Sequence, residues 1–271
     1  MGERKLMAME YRGLPNAVSR HVWDTKYRFR EGGAIRDETI DDTWRRVALA
    51  LAAAEKSNES LWYERFYELL RGFKFIPGGR ILAGAGTGRC VTLFNCFVMG
   101  TIEDSMDGIF DALKEGALTM QQGGGVGYDF STLRPRGSPA RRVGGVASGP
   151  VSFMHIWDSM CGTVLSSGYR RGAMMATLRC DHPDIEDFIE AKRDPGVLRR
   201  FNLSVLVSDE FMKAVERDGE WHLVFPQAEE EQGSGIGNLL RSWPGSETPL
   251  PCRVHRSVPA RDLWDRLMGA A

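Results

Sequence analysis

Apolar positions in the first seventy residues recur at helical spacing. Trp44, Val47, Ala48 and Leu51 follow Thr39-x-x-Asp42, a spacing that fits a capping box, and a second helix is predicted from Leu61 to Arg71. From Phe73 onward the texture changes: glycine becomes frequent, and short β-rich runs alternate with amphipathic stretches, as in strand-helix-strand units around a largely parallel sheet. The predicted order is a strand over 90–99, a helix over 105–122, a strand over 126–133, a helix over 151–165 and a strand over 173–180. The first of these helices carries Met106, Ile109, Phe110, Leu113, Ala117 and Met120 as its stripe, with Asp104 expected at its N-cap. His182-Pro183-Asp184 opens a short helix, strands follow over 203–207 and 221–225, and Pro259 to Met268 begins a last helix. The polar stretch 228–251, rich in Gly and Pro, reads as a long surface loop. The expected fold class is α/β, with a helical region over 1–72 and alternating strands and helices over 73–271.

Composition narrows the function classes. Over 271 residues, 42% hydrophobic and 26% charged content is that of a soluble globular protein, not of a disordered chain or a coiled coil. The 35 basic and 36 acidic residues nearly cancel, which removes the electrostatic case for gripping a nucleic-acid polymer or an anionic membrane. Any anion must be met by a local basic site. No apolar run of about 18 residues occurs, and nothing apolar follows Met1-Gly2-Glu3-Arg4-Lys5, so a cytoplasmic protein without membrane span or signal peptide is expected. Five irregularly spaced cysteines are expected to be reduced thiols, most of them buried.

Local basic sites do exist. Arg134, Arg136, Arg141 and Arg142 fall within nine residues of a loop that also holds Gly137, Gly144 and Gly145, and arginine forks with bare glycine amides suit phosphate oxygens. A solvated basic loop would show the same pattern. Ser167-Gly168-Tyr169-Arg170-Arg171-Gly172 is a second cationic, glycine-hinged loop, able to clamp a nucleotide or simply to end a helix with favourable charge. The run Gly123-Gly124-Gly125-Val126-Gly127 lies between a helix and a strand, the reverse of a dinucleotide fingerprint, and no P-loop occurs. Its glycines let a helix end turn sharply and let a ligand lie against bare backbone. Cys90 and Cys96 would share one face of an extended strand but lie about 20 Å apart, which makes neither a disulfide nor a metal pair. His182 beside Asp181 reads as a turn or capping feature.

The order of these segments resembles the N-terminal part of a ribonucleotide reductase large subunit, closest to the adenosylcobalamin-dependent class II form. The likeness runs through His21-Val22-Trp23, Asp42-Thr43-Trp44-Arg45-Arg46, Pro77-Gly78-Gly79-Arg80-Ile81, Asn95-Cys96-Phe97-Val98, Glu103-Asp104-Ser105 and Gly123 to Gly127. It continues through Gly144 to Met154, Arg170-Arg171-Gly172-Ala173 and Asp181-His182-Pro183-Asp184. The resemblance implies a ten-stranded α/β barrel of which 73–271 would hold roughly the first five-stranded half. It implies that Cys96 is the first of two redox cysteines that reduce the ribose, and that Asn95, Gly125 and Arg170 lie against the ribonucleotide substrate. Asp104, Ser105, Met106, Arg134 and Arg141 would hold a deoxynucleoside triphosphate effector, and loop 167–173 would link effector to substrate. A homodimer paired through the helices over 105–122 and 151–165, and adenosylcobalamin as radical source, belong to the same expectation.

The departures from that family pattern also carry information. The radical-bearing Asn-Pro-Cys-Gly-Glu motif does not occur; Cys252 lies in Leu250-Pro251-Cys252-Arg253, a different context, and no paired-cysteine tail is present. The 271 residues alone are therefore expected to be inactive, either as a piece of a longer reductase or with the other half-barrel supplied by a second chain. With no N-terminal cone domain matched in these residues, control of overall activity by adenine nucleotides is not expected. Two other readings stand beside this one: a non-catalytic nucleotide-binding regulatory module, to which Cys96 would be dispensable, and a free-standing thiol enzyme, for which no histidine partner is evident.

Overall fold

The computed structural model describes Leu14 and residues 16–140, 145–164, 174–227 and 238–271. They fall into two compact units, the first ending at Asn95 and taking in 122–124, the second holding Cys96–Gln121 and most of the chain from Gly125 to Ala271.

The first unit is helical: α1 (Ala17–Lys26), a short hairpin of β1 (Arg30–Glu31) and β2 (Ala34–Ile35), α2 (Ile40–Ala52), α3 (Glu59–Leu70) and α4 (Gly79–Gly84). The capping box forms as expected: the Thr39 amide donates to Asp42 Oδ2 at 2.7 Å, and the Asp42 amide donates back to Thr39 Oγ1 at 3.3 Å. Behind it Trp44, Val47 and Ala48 are buried with Trp23, Ile40, Leu70 and Leu82. Asp37 is buried in this core but paired, accepting from Arg46 Nη2 at 2.9 Å and from Thr43 Oγ1 at 2.7 Å.

The second unit is α/β. Its elements are β3 (Cys96–Val98), α5 (Met106–Gln121), β4 (Gly125–Asp129), β5 (Pro139–Ala140), β6 (Gly145–Val146), α6 (Pro150–Thr163), β7 (Met174–Arg179), α7 (Ile185–Glu190), β8 (Phe201–Leu206), α8 (Asp209–Glu216), β9 (Glu220–Pro226), β10 (Asn238–Arg241), β11 (Leu250–Pro259) and α9 (Ala260–Ala270). A parallel sheet runs in the order β3-β4-β7-β8, the sequence-order progression that strand-helix-strand units produce. One face of it is the core, where Val126, Tyr128, Met174, Ala176, Leu178 and Phe201 are buried, and Phe130 meets the Trp157 ring edge-on at 5.3 Å.

Three expectations need correction. The strand predicted over 90–99 is only three residues long, because Thr92 turns the chain, its Oγ1 accepting from the Phe94 amide at 3.1 Å. Cys90 and Cys96 therefore do not lie on one continuous strand. The stretch predicted as loop over 228–251 contains β10 and the start of β11; β10 pairs antiparallel with β11, and β11 in turn with β9, and Pro251 and the flanking Gly and Pro residues hid both strands. Four parallel strands are seen among the described residues, with no closed barrel, so the part of the expectation that stands is an α/β unit with a parallel sheet.

Candidate functional site

The sheet's second face is open. Register places Cys96 beside Gly125, and then Val98, Gly127, Met175 and Asn202 in one row across all four strands, on the side opposite the buried set. Cys96, Val98, Met175 and Asn202 are all exposed, Val98 at 97%. Parallel sheets are ordinarily covered on both faces. A Cβ at Gly127 would meet nothing closer than 3.7 Å, so close packing does not demand glycine there; the glycines beside Cys96 and Val98 leave the strand surface bare. Asn95, the last residue of the first unit, is exposed and lies near Gly78, where an added Cβ would come within 3.5 Å of its side-chain nitrogen.

The thiols divide by environment. Cys90 and Cys96 are exposed, whereas Cys161, Cys180 and Cys252 are buried. Burial pushes the Cys180 and Cys252 thiols up to about 11 and raises Cys161 as well, which leaves all three poor nucleophiles at neutral pH. The expectation that most cysteines are buried is met by three of five; Cys90 and Cys96 are exposed, Cys90 because the turn at Thr92 takes it out of the strand.

The second constellation lies around the start of α5. Ser105, not Asp104, caps the helix: its Oγ accepts from the Gly108 amide at 3.0 Å and donates to Glu103 at 2.9 Å. Asp104 is left to bind Arg134, accepting from the Arg134 amide at Oδ1 (3.1 Å) and from Nε at Oδ2 (2.8 Å). Met106, the first residue of the helix, is exposed. A cavity of about 450 Å³ runs along α5 past Glu103, Gly108, Asp111 and Glu115. Its acidic lining suits an anion far less than the Arg134 side of the turn does. Arg141 and Arg170 lie outside the described residues, as does loop 167–173.

The segment carrying Arg134 is held from below. Thr132 Oγ1 donates to Ile102 O at 2.6 Å, tying the turn after β4 to the loop before α5. His182 is fully buried, with Nδ1 accepting from the Asp184 amide at 3.0 Å and Nε2 3.0 Å from Leu133 O. Both bonds form together only in the neutral tautomer protonated at Nε2. Burial accordingly pulls its pKa down to about 4. Asp184 Oδ2 accepts from the Arg136 amide at 2.9 Å, and burial raises its carboxyl. His182 is thus the turn feature expected, and it also anchors the residue before Arg134. Nothing in the His-Pro-Asp spacing points to that second role, because its partner is 49 residues away.

Comparison with known proteins settles the family. Residues 94–271 match the model described as ribonucleotide reductase, barrel domain, and residues 14–90 match ribonucleotide reductase, all-alpha domain. The chain belongs to the ribonucleotide reductase large-subunit family. A vitamin B12-dependent ribonucleoside-diphosphate reductase of Mycobacterium tuberculosis is 47% identical over 211 residues, covering 78% of this chain and 29% of that protein. One of the same description from Thermoplasma acidophilum is 35% identical over 211 residues, 78% of this chain and 24% of that protein. A ribonucleoside-diphosphate reductase subunit alpha of Chlamydia pneumoniae is 27% identical over 266 residues, 95% of this chain and 25% of that protein. This member of the family therefore spans less than a third of the length of each of these relatives.

Proposed function

We propose that this chain carries the first redox cysteine and the effector site of a ribonucleoside-diphosphate reductase. The observation that carries the reading is Cys96: an exposed thiol beside bare glycine backbone, on the open face of a parallel sheet that further strands would complete into a barrel. In the reaction proposed, two thiols, Cys96 and a second cysteine outside this sequence, give up two electrons and two protons and close a disulfide, while the ribose 2′-hydroxyl leaves as water and C2′ gains hydrogen. Asn95, Gly125 and Arg170 would lie against the substrate. The thiyl radical that starts the reaction belongs to the Asn-Pro-Cys-Gly-Glu motif, which these 271 residues lack, so they would not turn over alone.

Adenosylcobalamin, named through the B12-dependent relatives, would supply that radical by homolysis. The cavities beside Asp184 (about 250 Å³) and along α5 (about 450 Å³), both with carboxylate-rich walls, do not fit a corrin ring. The effector reading places a deoxynucleoside triphosphate with its phosphates at Arg134 and Arg141 and its sugar and base beside Asp104, Ser105 and Met106. The protein would act as a homodimer paired through α5 and α6, or together with a second chain bearing the rest of the barrel. Calorimetry with a deoxynucleoside triphosphate tests the site. A charge-assisted bond contributes about 1.5–3 kcal/mol, so Arg134→Ala is expected to weaken binding about tenfold or more. Equal affinity in wild type and variant would remove the effector reading.

A further inference from the structure

We propose that Asp104 is a positioning residue for Arg134, holding its guanidinium as a preformed fork for phosphate; the inference rests on the effector reading above. Among the described residues four hydrogen bonds fix Arg134, and three of them go to Asp104: the Arg134 amide donates to Oδ1 at 3.1 Å, Nε to Oδ2 at 2.8 Å and Nη2 to the Asp104 carbonyl at 3.1 Å. The fourth runs from Nη1 to Pro139 O at 3.3 Å. A guanidinium has five N–H donors. Three are engaged here, which leaves one on Nη1 and one on Nη2 for the paired oxygens of a phosphate.

Asp104 is free for this task because Ser105 caps α5 in its place. The pair is half-exposed, with side-chain exposures of 38% for Arg134 and 29% for Asp104, and such pairs add little to fold stability. What the pair does is restrict the arginine. Without Asp104 the side chain regains its rotamers, and ordering it again on binding weakens affinity about two- to tenfold. The carboxylate also repels phosphate, so the two effects oppose each other, and positioning predicts that the first prevails.

Inorganic tripolyphosphate separates this role from any contact with sugar or base, since it has neither. Titrated into the 271-residue chain, it is expected to bind Asp104→Ala about fivefold more weakly than wild type, with a deoxynucleoside triphosphate losing at least as much. In an Arg134→Ala background the Asp104 substitution is expected to weaken tripolyphosphate binding no further, and to tighten it slightly because only the carboxylate's repulsion is then removed, which a general loosening of the fold would not reproduce. Should Asp104→Ala fail to fold, Asp104→Asn keeps the acceptor for the Arg134 amide but loses the ion pair, and the same direction is expected. Unchanged or tighter tripolyphosphate binding in the Asp104 variant overturns the inference while leaving the effector site standing. Nucleotide binding without any tripolyphosphate binding to wild type also overturns it. If wild type binds neither, the effector reading itself fails.

Discussion

Single residues in this chain acquire their chemistry from burial. Two thiols stand in water and three in apolar surroundings, so alkylation of the folded protein at pH 8 is expected to label Cys90 and Cys96 quickly and Cys161, Cys180 and Cys252 at least about a hundredfold more slowly, since both access and thiolate fraction fall. Slow labelling of Cys96 would remove it as a ribose-reducing thiol. His182 makes a second residue-scale case. Its pKa is about 4 in the fold and about 6.5 when unfolded, so between those values the unfolded chain binds a proton that the native one does not. The stability it contributes is complete above pH 6.5 and is lost as pH falls toward 4, by up to about 3 kcal/mol. Asp184, with its carboxyl raised, acts in the opposite sense, so the comparison to make is of urea unfolding in wild type and His182→Gln: the variant should be less stable at pH 7 and show a flatter profile from 6.5 to 4. An unchanged slope would mean that the imidazole is not the titrating group.

At the scale of elements, what was readable from sequence was what is local. The capping box and stripe of α2 lie within a few residues of one another, and that helix forms as its pattern says. The apolar run Cys90 to Met99 carries no equivalent stop signal, so nothing in it betrays the Thr92 turn, and the prolines around β11 hid a strand whose stability comes from β9, its partners lying 26 to 39 residues earlier in the chain. The Asp104–Arg134 pair escaped for the same reason: its partners are 30 residues apart, and locally Asp104 and Ser105 are equally good caps. Gly116 shows the contrast within one helix. Replacing a helical glycine by alanine normally stabilises by about 1 kcal/mol. Here the new Cβ would collide with the hydroxyl of Tyr128, a buried side chain that donates to Ala112 O at 2.7 Å. Gly116→Ala should therefore destabilise by about 1–3 kcal/mol. Much of that loss should disappear in a Tyr128→Phe background, which removes the colliding atom; a stabilised single variant would show that the helix can yield.

At the scale of the molecule, two surfaces of the α/β unit ask for a partner, and they differ in kind. The open sheet face mixes Cys96, glycines and Asn202 with Val98 and Met175, as suits a cavity that holds a polar substrate. The outer side of α5 instead presents Met106, Phe110 and Leu118, each 46–58% exposed and spaced four or eight residues apart along one stripe, the pattern of a helix that packs against another. On α6 the exposed positions are Ser152, His155, Ser159, Gly162 and Thr163, while Met154, Trp157 and Cys161 are spent on the core. The pairing proposed for the homodimer thus rests on α5 for its apolar contact, with α6 contributing polar groups at most. Placing a charge in the stripe without touching Ile109 or Met120, which are buried, separates the two roles. Phe110→Asp should keep its thermal transition within a few degrees of wild type and shift sedimentation at tens of micromolar from dimer to monomer. A wild type that is already monomeric under those conditions, or a variant that still pairs, would move the dimer contact off this helix.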